Sequence, residues 1–315
     1  MAAVAAPVLV CGSMAFDTIA VFEGRFKEHI LPDRIQSLSV SFLTPALRKE
    51  YGGCAGNIAY NLKLLGGNPV PVATVGEDAG DYLERLAGLQ IDASRVMTIP
   101  RTFTAQCFIT TDLDDNQIAA FHPGAMSRSA ENDISGAKAQ WAIVAPDAKE
   151  GMFAHAQRLN AAGIPFIFDL GQAMPLFDGD DLRRMLGLAQ VLTVNDYEAG
   201  VVEQRTGVSI ATLAQDLRAI VVTRGAQGAT LWADGQEHQV QPAAPEAVVD
   251  PTGCGDAHRA GLLYGITSGW SWLDSCRLGN LMGAIKIASR GPQNHAPTRE
   301  QISKRLQQTY GITLA

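Results

Sequence analysis

Short, continuous apolar runs recur along the chain, at residues 8–11, 70–75, 142–145, 165–168, 191–194, 220–223 and 229–232. Such runs predict buried strands. Between most of them the apolar residues fall three and four apart, which predicts helices at 58–65, 81–88, 151–162, 180–187, 211–216 and 271–290. Gly66-Gly67 and Gly291-Pro292 are stop signals after two of these helices. Regular alternation of this kind predicts an α/β fold: a doubly wound, mostly parallel sheet flanked by helices. Two stretches break the pattern. Residues 19–22 and 38–42 are β-prone and flank a polar stretch with Glu23, Arg25, Lys27, Glu28 and His29, the last read as a solvated loop histidine. Residues 103–111 and 117–121 are β-prone and joined by the polar turn 112–116, a hairpin signature. The expectation is a small β-sheet lid built from 17–44 and 101–124, over a core of 1–16, 45–100 and 125–315. With no repeat or low-complexity linker, 1–315 reads as a single unit.

Glycine clusters mark where chemistry can sit. Asp250-Pro251-Thr252-Gly253-Cys254-Gly255-Asp256 leads into a helical pattern carried by Ala257, Ala260, Gly261 and Tyr264. Glycines let backbone N–H groups turn toward one point, and a helix N-terminus adds unpaired donors and a positive dipole end. This corner suits an oxyanion or phosphate with Asp256 as a proton acceptor; it equally suits a plain glycine turn with an acid favouring the dipole. Tyr51-Gly52-Gly53-Cys54-Ala55-Gly56-Asn57 opens another helix, where Asn57 can cap the helix or offer a donor and an acceptor to ligand hydroxyls. Strands end in Asp169, Asn195 and Thr223-Arg224-Gly225, and the carboxyl ends of such sheets carry ligands. Asp17, soon after the first strand, is placed for the same role or for a turn. Asn195 and Glu198, three apart at a strand-to-helix junction, can hold metal-bound water or phosphate, or Glu198 can simply oppose the helix dipole.

Composition narrows the classes. The 315 residues carry a formal charge of −7, which argues against nonspecific nucleic-acid binding. No run of apolar residues is long enough to span a bilayer, so no membrane partner is expected. No basic stretch precedes the apolar N-terminus, so no export signal is read there. Cys11, Cys54, Cys107, Cys254 and Cys276 are widely spaced without a CxxC pair, so free thiols in a reducing cytoplasm are expected. The glycine turns lack the order of a dinucleotide fingerprint, and no P-loop motif is present.

Asp17, Gly52-Gly53-x-x-x-Asn57, Asn195-x-x-Glu198, Thr223-x-Gly225 and Asp250-x-Thr252-Gly253-x-Gly255-Asp256, in this order and spacing, resemble the ribokinase (PfkB) family of carbohydrate and nucleoside kinases. The likeness covers nearly the whole chain. Phe121-His122-Pro123-Gly124-Ala125-Met126, Asn195-Asp196-Tyr197-Glu198 and Gly291-Pro292-Gln293 are similar to a bacterial branch with adenosine kinase or broad nucleoside kinase activity. The resemblance implies ATP-dependent phosphorylation of a nucleoside 5′-hydroxyl, with adenosine or other purine nucleosides as acceptors. It implies Asp17, Gly52, Gly53 and Asn57 at the ribose hydroxyls, and a lid hinge at Gly53. Asp256 would be the base, with Gly253, Cys254 and Gly255 as the anion hole. Asn195 and Glu198 would order Mg²⁺, its waters and the phosphates, the metal meeting Glu198 through water. Thr223, Gly225 and Asn280 would line the ATP site, and a monovalent cation such as K⁺ is a further expected cofactor.

This chain departs from the family's pattern at Cys254, usually Ala, and at His258, usually aromatic. A thiol at a helix N-terminus is expected to have a lowered pKa and to react with thiol reagents. His258 points away from Asp256 and is expected to pack or to touch the ATP side. Phe16, Phe103, Ala105, Phe108 and Phe121 supply apolar candidates for a base site, with Gln106 as its polar reader; lid packing is expected to account for at least half of the phenylalanines. The alternatives are a kinase for a free sugar or sugar phosphate, for which Arg25, Lys27 and Arg34 would have to face inward, and a non-catalytic ligand-binding protein on the same fold. Either a monomer or a homodimer through the lid is compatible with the sequence.

Overall fold

The apolar runs share one sheet because each sends alternate side chains into two separate cores. In β1 (Pro7–Cys11), Leu9 and Cys11 enter one core while Val8 and Val10 enter the other. A strand buried on both faces reads as unbroken apolar sequence, which explains the continuous runs. The computed structural model describes residues 6–30, 39–114 and 116–314. Arg34 and Leu38 lie outside the described residues.

After β1 the chain makes β2 (Ala15–Val21), the single turn α1 (Phe26–His29), β3 (Ala46–Gly52), α2 (Cys54–Leu64) and β4 (Asn68–Val75). Next come α3 (Gly80–Gly88), β5 (Val96–Thr98) and a hairpin of β6 (Ala105–Thr111) and β7 (Gln117–His122). The α/β alternation runs through β8 (Trp141–Val144), α4 (Lys149–Ala161), β9 (Phe166–Asp169), α5 (Gly179–Leu186), β10 (Val191–Asn195), α6 (Asp196–Thr206), α7 (Ile210–Leu213) and β11 (Ala219–Thr223). It closes with β12 (Ala229–Ala233), β13 (Gln236–Val240), α8 (Cys254–Thr267), α9 (Trp272–Lys286) and α10 (Arg299–Tyr310).

The large sheet has the order β13-β12-β11-β10-β9-β8-β1-β4-β5. Seven strands, β5 through β11 across the sheet, run parallel, so the expected doubly wound sheet is the one observed. β12 and β13 are antiparallel, because the connection from Thr223 to Ala229 is too short for a crossover. β1 lies between β4 and β8, and the chain leaves it first toward β4 and later returns on the β8 side. That reversal opens a crevice at the strand carboxyl ends. Ser13 is tied into it: its N–H donates to Pro146 O and its hydroxyl accepts from Cys54 N.

The second sheet has the order β3-β2-β6-β7. Its hairpin is the one read from the sequence, and the β-prone 19–22 falls in β2, but the 38–42 piece is not its neighbour. Residues 39–44 form no strand, and the partner of β2 is β3, which the sequence reading had assigned to the core. β3 is the polar edge strand Ala-Leu-Arg-Lys-Glu-Tyr-Gly, and charges on an edge hide the apolar alternation. Asp17, the first residue of the 17–44 excursion, lies within β2 of the small sheet and not at the end of β1. The short β5, the polar β13 and the solvent-facing α10 carried too little apolar signal to be read. The expected 211–216 helix is only the single turn α7, and the 271–290 helix ends at Lys286. His29 is exposed as expected, with its ring edge-on to Phe22 at 5.1 Å.

α8 and α9 cross at glycines. A Cβ on Gly261 would meet the backbone of Gly279 at 2.8 Å, and one on Gly265 would meet Ser275 Cα at 2.7 Å. This close approach fixes α8, and hence its N-terminus, against α9. Gly261→Ala is therefore expected to destabilise the fold by about 1–3 kcal/mol through overpacking, read as a lower midpoint in thermal or urea unfolding. An unchanged midpoint would contradict this crossing.

Candidate active site

Asp256 stands in the first turn of α8, partly buried at the crevice. Gly253 before it adopts φ +80°, a left-handed conformation that turns the chain into the helix. The loop ahead of it is clamped from several sides. Asp250 accepts from Thr252 N (2.9 Å) and Gly291 N (2.8 Å), and Lys286, itself fully buried, donates to Asp250 O (2.8 Å) and Ser289 O (2.9 Å). The N–H groups of Gly253 and Gly255 are thereby held at a helix N-terminus, the arrangement that binds anions, while that of Cys254 donates to Pro251 O (3.1 Å).

Burial pushes the Asp256 carboxyl above its ordinary pKa, while Arg259, Asn57 and the Cys54 thiol draw it back down. The bond from Asn57 Nδ2 to Asp256 Oδ2 is 2.8 Å and joins α2 to α8. Asn57 does not cap α2, whose N-cap is Gly53; its amide instead donates to Asp256 and accepts from Gln293. Gln293 Nε2 donates both to Asn57 Oδ1 (3.0 Å) and to Tyr82 Oη (2.7 Å), and Tyr82 donates to Gly52 O (2.7 Å). A hydrogen-bonded line thus runs from Asp256 to Gly52. Gly53, at φ +82°, has no room for a side chain: a Cβ would meet Ser13 O at 2.5 Å.

The register of the small sheet decides which of its residues face this site. Glu50, Asp17, Cys107 and Phe121 are successive cross-strand partners and share one face. A Cβ on Gly52 would meet Asp17 Oδ2 at 2.7 Å, which places the carboxylate over the glycine pair. Burial raises the Asp17 pKa to about 6, reinforced by Glu50, Asp250 and Asp256. Gln106 lies on the opposite face, where its amide donates to Asp78 at 3.0 Å. The structure therefore does not bring Gln106 to Asp17, because alternate residues of a strand point to opposite sides. Phe16 and Phe108 share that outer face with Gln106. Phe16 is fully buried against Tyr51 and Tyr82, with Lys49 over its ring, whereas Phe108 is about half exposed. Ala105 is buried, and Phe103 and Phe121 are exposed. Arg25 and Lys27 pair with Asp114 and do not line the site.

Two pockets meet at the α8 N-terminus. One of about 350 Å³ is mainly apolar, and its lining includes Thr223, Gly225, Cys254, His258, Asn280 and Ile287. The other, about 460 Å³, is more polar, and its lining includes Asp169, Asn195, Glu198, Gly255, Asp256 and Arg259. Asn195 and Glu198 form a reciprocal cap on α6: Glu198 N donates to Asn195 Oδ1, while Asn195 N and Nδ2 donate to the two Glu198 oxygens, all at 2.8–2.9 Å. Among the described residues no group of three or more His, Cys, Asp and Glu could hold a metal ion by itself.

Both departures in the α8 motif are resolved. The Cys254 thiol is not activated, which corrects the sequence expectation. Burial lifts its pKa to about 11 and outweighs the nearby Lys286. His258 is buried beside Cys276 and lines the apolar pocket, with its pKa lowered to about 3 by burial. It is neutral and away from Asp256. What the sequence reading missed is Arg259, one helical turn after Asp256, whose Nε lies 2.5 Å from Asp169 Oδ2. The i, i+3 spacing from the acid was its available signal.

The family model described as pfkB family carbohydrate kinase matches residues 8–299. The chain belongs to the pfkB family. Membership makes it a phosphotransferase with an alcohol acceptor. A Burkholderia thailandensis nucleoside kinase, solved in complex with inosine, is 50% identical, with a TM-score of 0.88 over 97% of this chain and 99% of that one. The Methanocaldococcus jannaschii nucleoside kinase is 27% identical over 272 residues, covering 85% of this chain and 89% of its own length. Its structure gives a TM-score of 0.88 over 96% of this pfkB kinase and 98% of that chain, at 25% identity. A D-beta-D-heptose 7-phosphate kinase of Bordetella bronchiseptica is 29% identical over 286 residues, covering 82% of this chain and 86% of its own.

The raised Asp17 pKa has a stability consequence. The folded kinase holds this proton up to about pH 6, and the ordinary value is 3.8, so stability falls as pH rises through that window and the cost is complete above it. Asp17→Asn is expected to raise the melting temperature more at pH 8 than at pH 5 in scanning fluorimetry. An equal shift at both pH values would contradict the buried, acid-crowded environment.

Proposed function

We propose that this pfkB kinase transfers the γ-phosphoryl group of ATP to the 5′-hydroxyl of a purine nucleoside, adenosine or inosine. The observation that carries the reading is the position of Asp256. It sits between a face that presents Asp17 and a helix N-terminus that opens on two pockets. On this reading the apolar pocket beside Thr223, Gly225 and Asn280 takes the adenine end of ATP, and the polar pocket takes its phosphates. Asp17 and Asn57 receive the ribose hydroxyls, and Phe121 and its neighbours on that face meet the base. Asp256 accepts the 5′-hydroxyl proton as that oxygen bonds to the γ-phosphorus and the bond to the β-phosphate oxygen breaks, releasing ADP. The N–H groups of Gly253 and Gly255 take up charge on the moving phosphoryl group, that of Cys254 being held by Pro251 O.

Mg²⁺ fits as an ion carried in on the nucleotide. Mg²⁺ is commonly held by substrate phosphates and waters with one or two carboxylates, and Glu198, closed in its cap with Asn195, suits contact through water. Bound there, the ion would neutralise the β- and γ-oxygens. Asn195 and Glu198 would orient its waters and fix the start of α6.

The acid-rich acceptor side favours a neutral acceptor over a sugar phosphate. Glu50, Asp250 and Asp256 crowd Asp17 with negative charge and help burial to raise its pKa, and Arg48 on the same face is already drawn to Glu50 at 3.5 Å. The relatives named nucleoside kinase, one of them solved with inosine and with ADP-inosine, support the same reading.

The test is a Mg·ATP phosphorylation assay over adenosine, inosine, pyrimidine nucleosides, ribose and fructose 6-phosphate. Purine nucleosides are expected to give the highest kcat/KM, and a preference for fructose 6-phosphate would refute the assignment. Asp256→Asn should lower kcat by about 10²–10⁴-fold while nucleoside still binds by calorimetry; near-normal turnover would remove Asp256 as the base. Closure of the small sheet over the nucleoside should appear as slower amide exchange in residues 46–52 and 105–122 when adenosine is added. Identical exchange with and without adenosine would argue against a lid.

A further inference from the structure

Arg259 presents a buried cation whose donors are mostly unused. Its side chain is 9% exposed, and its partner Asp169 is 2% exposed. Apart from that single ion pair, no hydrogen bond from the guanidinium to another protein group is seen among the described residues, and Asp169 Oδ1 is also unpartnered. A guanidinium has five N–H donors in a planar fork, and burying one with so few partners is costly. Arg259 lines the polar pocket, where it is the one basic side chain among the described lining residues. Four carboxylates, from Asp169, Asp196, Glu198 and Asp256, line the same space. Gly255, the last glycine of the turn, leaves the room that Nη1 occupies, since a Cβ there would collide with it. Nη1 therefore lies beside Gly255, in the turn proposed to receive the phosphoryl group.

We propose that Arg259 is a further catalytic residue, its guanidinium donating to the phosphoryl group as it passes from the nucleotide to the acceptor. Asp169 holds the fork from behind through Nε and leaves the terminal nitrogens to the ligand. The charge matters because a phosphoryl group in transit spreads negative charge over three oxygens, and positioned donors stabilise it most where water is excluded. The helix makes the pairing structural: base and cation are one turn apart on α8, so the backbone that orients Asp256 also orients Arg259.

This inference rests on the kinase reading and is tested on the full chain with Mg·ATP and adenosine or inosine. Wild-type protein inactive on every nucleoside would sink the nucleoside assignment and not the arginine. Given an active wild type, Arg259→Ala is expected to lower kcat by about 10²–10³-fold with the nucleoside KM within about threefold. Added guanidinium chloride at non-denaturing concentration should restore part of that kcat. The variant's melting curve establishes that it is folded. A folded Arg259→Ala with kcat within about threefold of wild type, or one whose loss guanidinium does not relieve, overturns the proposal. Should the uncompensated Asp169 prevent folding, Arg259→Gln with Asp169→Asn leaves a neutral pair of similar shape, compared with Asp169→Asn alone. A comparable further fall in kcat on adding Arg259→Gln supports the arginine's role. Equal kcat in the two reduces Arg259 to a partner for Asp169 and overturns it.

Discussion

A carboxylate that must take a proton near neutral pH has to be buried enough to be basic and partnered enough to remain in place. Asp256, the base we propose, is held by the 2.8 Å bond from Asn57, which spans 199 positions of sequence. That bond requires α2 and α8 to arrive at one crevice, and most of the architecture serves this convergence. The β1 reversal opens the crevice, the Gly261–Gly279 contact sets α8 against α9, and the Lys286 clamp holds the loop that precedes the anion-binding turn. Asn57 is in turn fixed by Gln293, which also holds Tyr82 and, through it, the Gly52 carbonyl. The base and the root of the small sheet are thus positioned by one hydrogen-bonded line.

Electrostatics divides the site into regions of different character. The acceptor side is acidic, with Asp17 raised by burial and by its neighbours. The nucleotide side pairs an apolar pocket with a polar one in which Arg259 opposes four carboxylates. A phosphorylated acceptor would meet like charge on the first side, whereas a polyphosphate can be met by helix N-termini, Arg259 and its own counter-ion on the second. Burial also silences groups that sequence position would have made reactive. Cys254 shares a helix N-terminus, where a thiol pKa is expected to fall, but loss of water raises it and outweighs the nearby Lys286.

The family motifs were legible in order and spacing, and so was the parallel core, because strands buried on both faces cannot be anything but apolar. The hairpin of residues 105–122 was legible from its turn. β3 was not, since an edge strand is protected by charge and Arg48, Lys49 and Glu50 disguise its alternation. Gln106 was assigned to the site because adjacent residues in a strand look equivalent until the register is known. Arg259 was passed over because its importance depends on Asp169, ninety positions earlier, and on the space left by Gly255.

The chain by itself therefore determined the kind of fold, the phosphotransferase class and the residues able to bind anion and accept a proton. These follow from local rules: two-sided burial, glycine backbone freedom and helix N-terminal polarity. Tertiary structure alone decided which face of the small sheet looks inward, which partner steadies Asp256, whether Cys254 is activated and where Arg259 points. Those outcomes depend on strand register and on loss of water at a buried crevice, and neither is a property of any short stretch of sequence.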